Sequence, residues 1–161
     1  MLIDTPGINE VQGADRAAMA RDAAERADLI LFVTDSDLNQ LEFAALAELA
    51  SSHKPMILVF NKIDNYTREQ RARLRDVFRD ERLQGILSPD DIVETAADPL
   101  PREYVIEAAD GSLRSEYRQL APNVEALKLR ILEVLERDGK ALLALNAAMY
   151  AADKSDRIAA L

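Results

Sequence analysis

The sequence predicts an α/β domain on a mostly parallel sheet, with a hairpin inserted late in the chain and helices at the C-terminal end. Two observations carry most of that prediction. The segments at 28–35, "DLILFVTD", and 55–64, "PMILVFNKID", are short, rich in β-branched residues and continuously apolar at their centres, as strands buried on both faces are. Helical stretches with one apolar side alternate with them, and strand, helix, strand in repetition implies right-handed crossovers with the ligand at the carboxyl ends of the strands.

Taken in order, Leu2 and Ile3 form an apolar lead into Asp4-Thr5-Pro6-Gly7, read as a strand end opening into a turn. Residues 17–27 read as a crossover helix before the strand at 28–35. Between the two strands, Leu38, Leu41, Ala44, Ala45, Leu46 and Leu49 fall on one side of a helix, which Lys54-Pro55 should terminate. Residues 67–82 read as the next crossover, with Thr67 as N-cap. Residues 90–97, "DDIVETAA", form a third buried strand. Residues 102–118 hold two extended runs about Asp110-Gly111, an insertion hairpin. Asn123 should cap a helix with Val124, Leu127, Ile131, Leu132 and Leu135 on its sheet-facing side. Gly139 reads as a helix C-cap, and a further Ala- and Leu-rich helix runs from Lys140. The division expected is 1–138 for the main domain and 139–161 for the start of a helical extension.

Composition narrows the function. The 161 residues are 48% hydrophobic and 30% charged, a globular balance, and the net charge is -9. Nucleic-acid binding is not expected, because phosphate neutralisation needs clustered Lys and Arg, and here basic residues are interleaved with acidic ones. There is no cysteine and a single histidine, His53, so thiolate metal sites and histidine clusters are excluded and a reducing, cytoplasmic setting is expected. The longest mostly apolar run, "ALLALNAAMYAA", has about half the ~20 residues that span a bilayer.

Three strand ends on the ligand side of one sheet carry hydrogen-bonding groups: Asp4-Thr5-Pro6-Gly7, Asn61-Lys62-Ile63-Asp64 and Thr95-Ala96-Ala97. Each alone has a plain structural reading, a tight turn or a solvated strand end. Their succession along one sheet edge points to a site.

In "DTPG" and "NKID" the chain resembles the P-loop GTPases of the Era and TrmE branch, at motif level over residues 1–97. The resemblance implies GTP and GDP as ligands with Mg²⁺, in an α/β fold with a mostly parallel sheet. It implies that Asn61 braces the loops and meets the base edge, that the Lys62 stem lies across the purine, that Asp64 reads the guanine, and that a backbone N–H near Ala96, in the Thr95-Ala96 segment, meets the guanine O6. Asp4 would hold Mg²⁺ through a water, as a reluctantly dehydrated cation prefers, and the Gly7 N–H would meet the terminal phosphate. Ile8 stands where related enzymes place a water-orienting glutamine. It cannot orient water, so the catalytic group is not identified; Asn9 and Glu10 are the nearby polar candidates.

No G-x-x-x-x-G-K-[ST] segment is present, although that loop cradles the phosphates in the family. Gly139-Lys140 has Val134 and Ala141 at the positions that would have to be Gly and Ser or Thr. The resemblance therefore implies a GTPase domain lacking its first strands, phosphate loop and first switch, entered about a third of the way in. Loss of a central strand would leave two unpaired inner edges open to self-association or a protein partner. The C-terminal arrangement is similar to bacterial GTPases with a membrane-associated region after the GTPase domain, which implies membrane association beyond residue 140 and a place at the inner face of a membrane. Three functions stay open at this point: a GTP-hydrolysing switch of which this is the guanine-binding part, a degenerate GTPase-fold interaction module, and an inactive fragment.

Overall fold

The computed structural model describes residues 3–5, 22–78, 83–108 and 111–159. The expectations for Gly7, Ile8, Asn9 and Glu10, for residues 17–21 of the first crossover, for 79–82 of the second and for Asp110 lie outside the described residues.

Strands β1 (Ile30–Thr34), β2 (Met56–Phe60) and β3 (Ile92–Glu94) form a parallel sheet in that order. The register pairs Ile30 with Met56 through Thr34 with Phe60, and Leu58 with Ile92 through Phe60 with Glu94. β2 is central and all five of its residues are buried, which is why its sequence shows no polar alternation. Its side chains divide between two cores. Met56, Leu58 and Phe60 meet Ile30, Phe32, Leu46, Leu49 and Phe78 on one face, while Ile57 and Val59 meet Val93 and Val134 on the other. Helices on both faces of a parallel sheet complete the layered α/β architecture expected.

Helix α1 (Gln40–Ala50) starts at a capping box that the sequence reading did not name. Asn39 Oδ1 accepts the Leu41 and Glu42 N–H groups, both at 2.9 Å, and Glu42 returns a carboxylate oxygen to the Asn39 N–H at 3.0 Å, satisfying donors the first turn leaves open. Leu38, Leu46 and Leu49 are buried as expected, but Leu41 is 54% exposed and Ala44 is also exposed. Phe43 packs on the core instead. The helix is rotated to bury the larger aromatic surface, which outweighs one leucine.

Residues 22–26 are helical, and the buried Lys54 closes their C-terminal end, its Nζ donating to the Glu25 carbonyl and, at 2.7 Å, to the Ala27 carbonyl. Burial pushes the Lys54 pKa down against the opposing pull of Asp28 and Glu25. Helix α2 (Arg68–Phe78) begins as expected at Thr67. The Thr67 hydroxyl accepts the Gln70 N–H at 3.3 Å, and Gln70 Oε1 accepts the Thr67 N–H at 2.8 Å. At its other end Phe78 packs edge-on against Phe60, ring centroids 5.4 Å apart.

Strands β4 (Arg102–Glu107) and β5 (Leu113–Arg118) form the expected antiparallel hairpin, with Gly111 at φ +81° in its turn. All residues of both strands are exposed.

Helix α3 (Glu125–Ala159) corrects three expectations. It runs through Gly139 without a break, so Gly139 is not a C-cap. An interior glycine costs only about 1 kcal/mol, which the flanking Leu, Ala, Glu and Lys residues offset. The seam facing the sheet is Leu127, Ile131 and Val134, whereas Leu132 and Leu135 are exposed. Spacings of four and three keep one line along a straight helix, and 132 and 135 lie off it. Asn123 is not the cap either: its N–H and C=O pair with Ala96 in an isolated bridge, and Val124 precedes the helix, its carbonyl accepting the Lys128 N–H. Arg130, in the first turns, donates to Asp91 through Nε and Nη2 at 3.1 and 2.8 Å, tying α3 to the approach of β3.

Of the predicted opening strand Leu2 lies outside the described residues; residues 3–5 carry no regular structure, and Ile3 is 39% exposed. Among the described residues β1 has a neighbour on one side only, so a strand at Ile3 has no sheet partner to complete its hydrogen bonds. Among the same residues no helix is long and apolar enough to cross a membrane.

Candidate functional site

The carboxyl ends of β2 and β3 lie side by side, because β2 pairs directly with β3. Asn61 follows the last residue of β2. Its N–H donates to the Thr34 carbonyl at 2.8 Å, which continues the β1–β2 ladder by one rung. The half-buried side chain then turns toward β3, where Oδ1 accepts the Thr95 hydroxyl at 3.0 Å and the Ala97 N–H at 3.1 Å. Thr95 is buried, its N–H bonded to the Phe60 carbonyl at 2.8 Å and its C=O to the Ile63 N–H at 3.1 Å. One amide oxygen thus holds two loops together.

Lys62 takes φ +56°, a left-handed conformation that costs a non-glycine residue about 1–3 kcal/mol. The twist starts a single 3-10 turn at Ile63–Asn65, anchored by the buried Ile63 and by Tyr66 packed on Phe60 at 5.3 Å. It also sends the Lys62 side chain across the strand ends to Asp35, with Nζ 2.7 Å from Oδ2. The Asp35 hydrogen bond and charge push the Lys62 pKa up. Both side chains remain more than half exposed, so the pair orients the lysine stem more than it stabilises the fold. The Tyr66 hydroxyl fixes the same loop by donating to the Asp35 carbonyl at 2.6 Å.

Asp64 sits on the exposed side of the 3-10 turn, and its Oδ2 accepts the Leu100 N–H at 2.9 Å. An ionised carboxylate has about four acceptor positions, so this bond leaves capacity for two further donors. Ala96 is buried, and its N–H donates to the Asn123 carbonyl at 3.0 Å. That bond turns the Ala96 N–H away from Asn61 and toward the start of the last helix. The next amide, that of Ala97, is the one on the Asn61 side.

Asn61, Lys62, Asp64, Thr95 and Ala96 are therefore gathered at one edge of the sheet. Asp4 is exposed and lies outside the contacts that join the others. Sequence reasoning missed Asp35 and Leu100. Asp35 had a signal, since a carboxylate closing the predicted strand 28–35 falls on the same edge as "NKID". Leu100 had a weaker one: flanked by Pro99 and Pro101, it is the one backbone N–H donor in residues 99–101.

A GTPase family described as "50S ribosome-binding GTPase" matches residues 1–62. The chain is 33% identical to GTPase Der of Helicobacter hepaticus over 75 residues, 44% of this chain and 15% of that protein. It is 38% identical to GTPase Der of Desulforudis audaxviator over 74 residues, 42% of this chain and 17% of that one. To GTPase Era of Clostridium botulinum it is 31% identical over 86 residues, 50% of this chain and 29% of that protein. The matches thus span less than a third of each of these relatives. No solved structure matches.

Proposed function

We propose that residues 61–64 and 95–97 are the guanine-recognition end of a GTP-binding protein of the Era-like branch of P-loop GTPases, a reading supported by the family match over residues 1–62 and the Der and Era relatives, and that GTP hydrolysis needs a phosphate-binding loop besides these residues. The observation that carries this reading is the bracing of Asn61 against Thr95 and Ala97 beside an exposed Asp64. Held there, the Asp64 carboxylate accepts the N1–H and the amine of guanine, and the Lys62 stem, drawn out toward Asp35, lies across the purine. Of the amides near Ala96, that of Ala97 lies on the Asn61 side and is assigned to the guanine O6, which it reaches by sharing the N–H it donates to Asn61 Oδ1. Asp4 offers one hard oxygen ligand, which suits a Mg²⁺ that keeps water and phosphate in most of its shell. The hairpin β4–β5, exposed on both faces, is the part of the chain offered to a protein partner, since an isolated two-stranded ribbon has little stability of its own.

The test is base choice. Titration of the chain with GMP and AMP should show binding of GMP alone, with chemical-shift changes at Asn61, Lys62, Asp64 and Ala97. Equal response to AMP and GMP would refute the assignment.

A further inference from the structure

Between the site and the hairpin runs the segment Asp98-Pro99-Leu100-Pro101. Two prolines fix their own φ and bias the residues before them toward extended backbone, so this stretch is a stiff strap. Pro99 is buried, and its carbonyl accepts the Gln119 Nε2 at 2.7 Å. Gln119 directly follows β5, while Pro101 directly precedes β4, so this hydrogen bond closes the foot of the hairpin on the strap. The strap's single free-standing donor in 99–101, the Leu100 N–H, is thereby aimed at Asp64 Oδ2, 2.9 Å away. Its other end is held as well, since Ala97 donates to Asn61.

We infer that Gln119 and Leu100 are positioning residues for guanine selectivity: the hairpin foot fastens the strap, and the strap fixes the plane of the Asp64 carboxylate so that its remaining acceptor positions face the base. This rests on the guanine reading of Asp64. A carboxylate free to rotate about its own axis would present the two oxygens to the N1–H and the amine only part of the time. Anchoring one oxygen removes that freedom. The hairpin therefore has a function inside this chain, besides any partner it meets.

The experiment compares GMP with IMP, which lacks only the exocyclic amine, so their affinity ratio reports the second hydrogen bond to Asp64. Leu100→Pro deletes the donor in a segment already held extended, and the Leu100 side chain is 66% exposed. Gln119→Glu replaces the donor amide with a carboxylate of the same shape, and Gln119→Lys keeps a donor. The parent chain should prefer GMP. In Leu100→Pro and Gln119→Glu the GMP/IMP ratio should fall about three- to tenfold, the loss of one hydrogen bond's worth of orientation. IMP affinity should stay within about twofold of the parent, which also shows that the variants fold, and Gln119→Lys should keep the parent ratio. An unchanged ratio in Leu100→Pro and Gln119→Glu, or an equal loss of GMP and IMP, would overturn the inference while leaving the guanine reading standing. No GMP preference in the parent would overturn the guanine reading itself.

Discussion

Asn61 Oδ1 accepts the Thr95 hydroxyl at 3.0 Å, joining two loops 34 positions apart in sequence. Because Thr95 is 1% exposed, that hydroxyl has no water to turn to, and the bond fixes the Asn61 side chain against the loop that follows β3. Thr95→Val keeps the shape and removes the bond. Stability should fall by about 0.5–1.5 kcal/mol, read from the urea midpoint at constant m-value, with GMP binding weakened alongside. Stability unchanged and GMP binding unchanged together would show that the brace does not organise the site.

Lys54 spans two elements, its ammonium donating to the Glu25 and Ala27 carbonyls. Lys54→Met retains the buried stem but leaves those acceptors unpaired, at about 1–3 kcal/mol. The pH dependence has a definite sign. Burial lowers the folded pKa, so the unfolded state holds its proton more tightly, and the penalty on the charged form is fully present at neutral pH. It is relieved as pH rises through the folded pKa toward the ~10.4 of unfolded lysine. The stability advantage of the parent over Lys54→Met should accordingly grow as pH rises from neutral toward the ~10.4 of unfolded lysine; a shrinking difference would contradict the direction of the shift.

The face that α3 presents to the sheet can be checked by truncation. Val134 is 1% exposed and Leu132 is 56% exposed. Val134→Ala should cost about 1–3 kcal/mol, and Leu132→Ala about 0.5 kcal/mol or less, both by urea titration. The reverse order would place Leu132 on the sheet.

Much of this architecture was legible because burial on both faces leaves a plain mark. "MILVF" can be little other than a central parallel strand, and its two neighbours follow from their spacing. The site was legible for a related reason: strands in a parallel sheet end on one edge, so "NKID" and "TAA" had to meet. Helix faces were read less well. Leu41 and Leu132 fit an apolar stripe as well as Phe43 and Val134 do, and which stripe wins depends on packing volumes that lie elsewhere in the chain. Gly139 misled because a glycine ends a helix only when the residues after it do not favour continuing, and Ala, Leu and Lys do. Asn123 misled for another reason: its backbone was claimed by Ala96, a contact 27 residues away that no local pattern encodes.

Phosphate recognition is where this chain should be weakest. Its 161 residues contain no G-x-x-x-x-G-K-[ST] segment, and each charge-assisted hydrogen bond such a loop supplies is worth about 1.5–3 kcal/mol. GTP should therefore bind this chain no more than a fewfold better than guanosine, with little dependence on Mg²⁺ and no hydrolysis. Calorimetric titration with GTP, GDP and guanosine reads this directly. Micromolar GTP binding that requires Mg²⁺ would reveal a phosphate site made from other residues.

The assignment of Asp64 as the guanine reader carries the whole functional account, and one substitution tests it. Asp64→Asn replaces an acceptor by a donor, mismatching the guanine amine and matching the C2 carbonyl of xanthine. Competition between GMP and XMP should show the parent preferring GMP and the variant preferring XMP. The ratio should shift by about 5- to 150-fold, equivalent to ~1–3 kcal/mol. A variant that still prefers GMP would contradict the account.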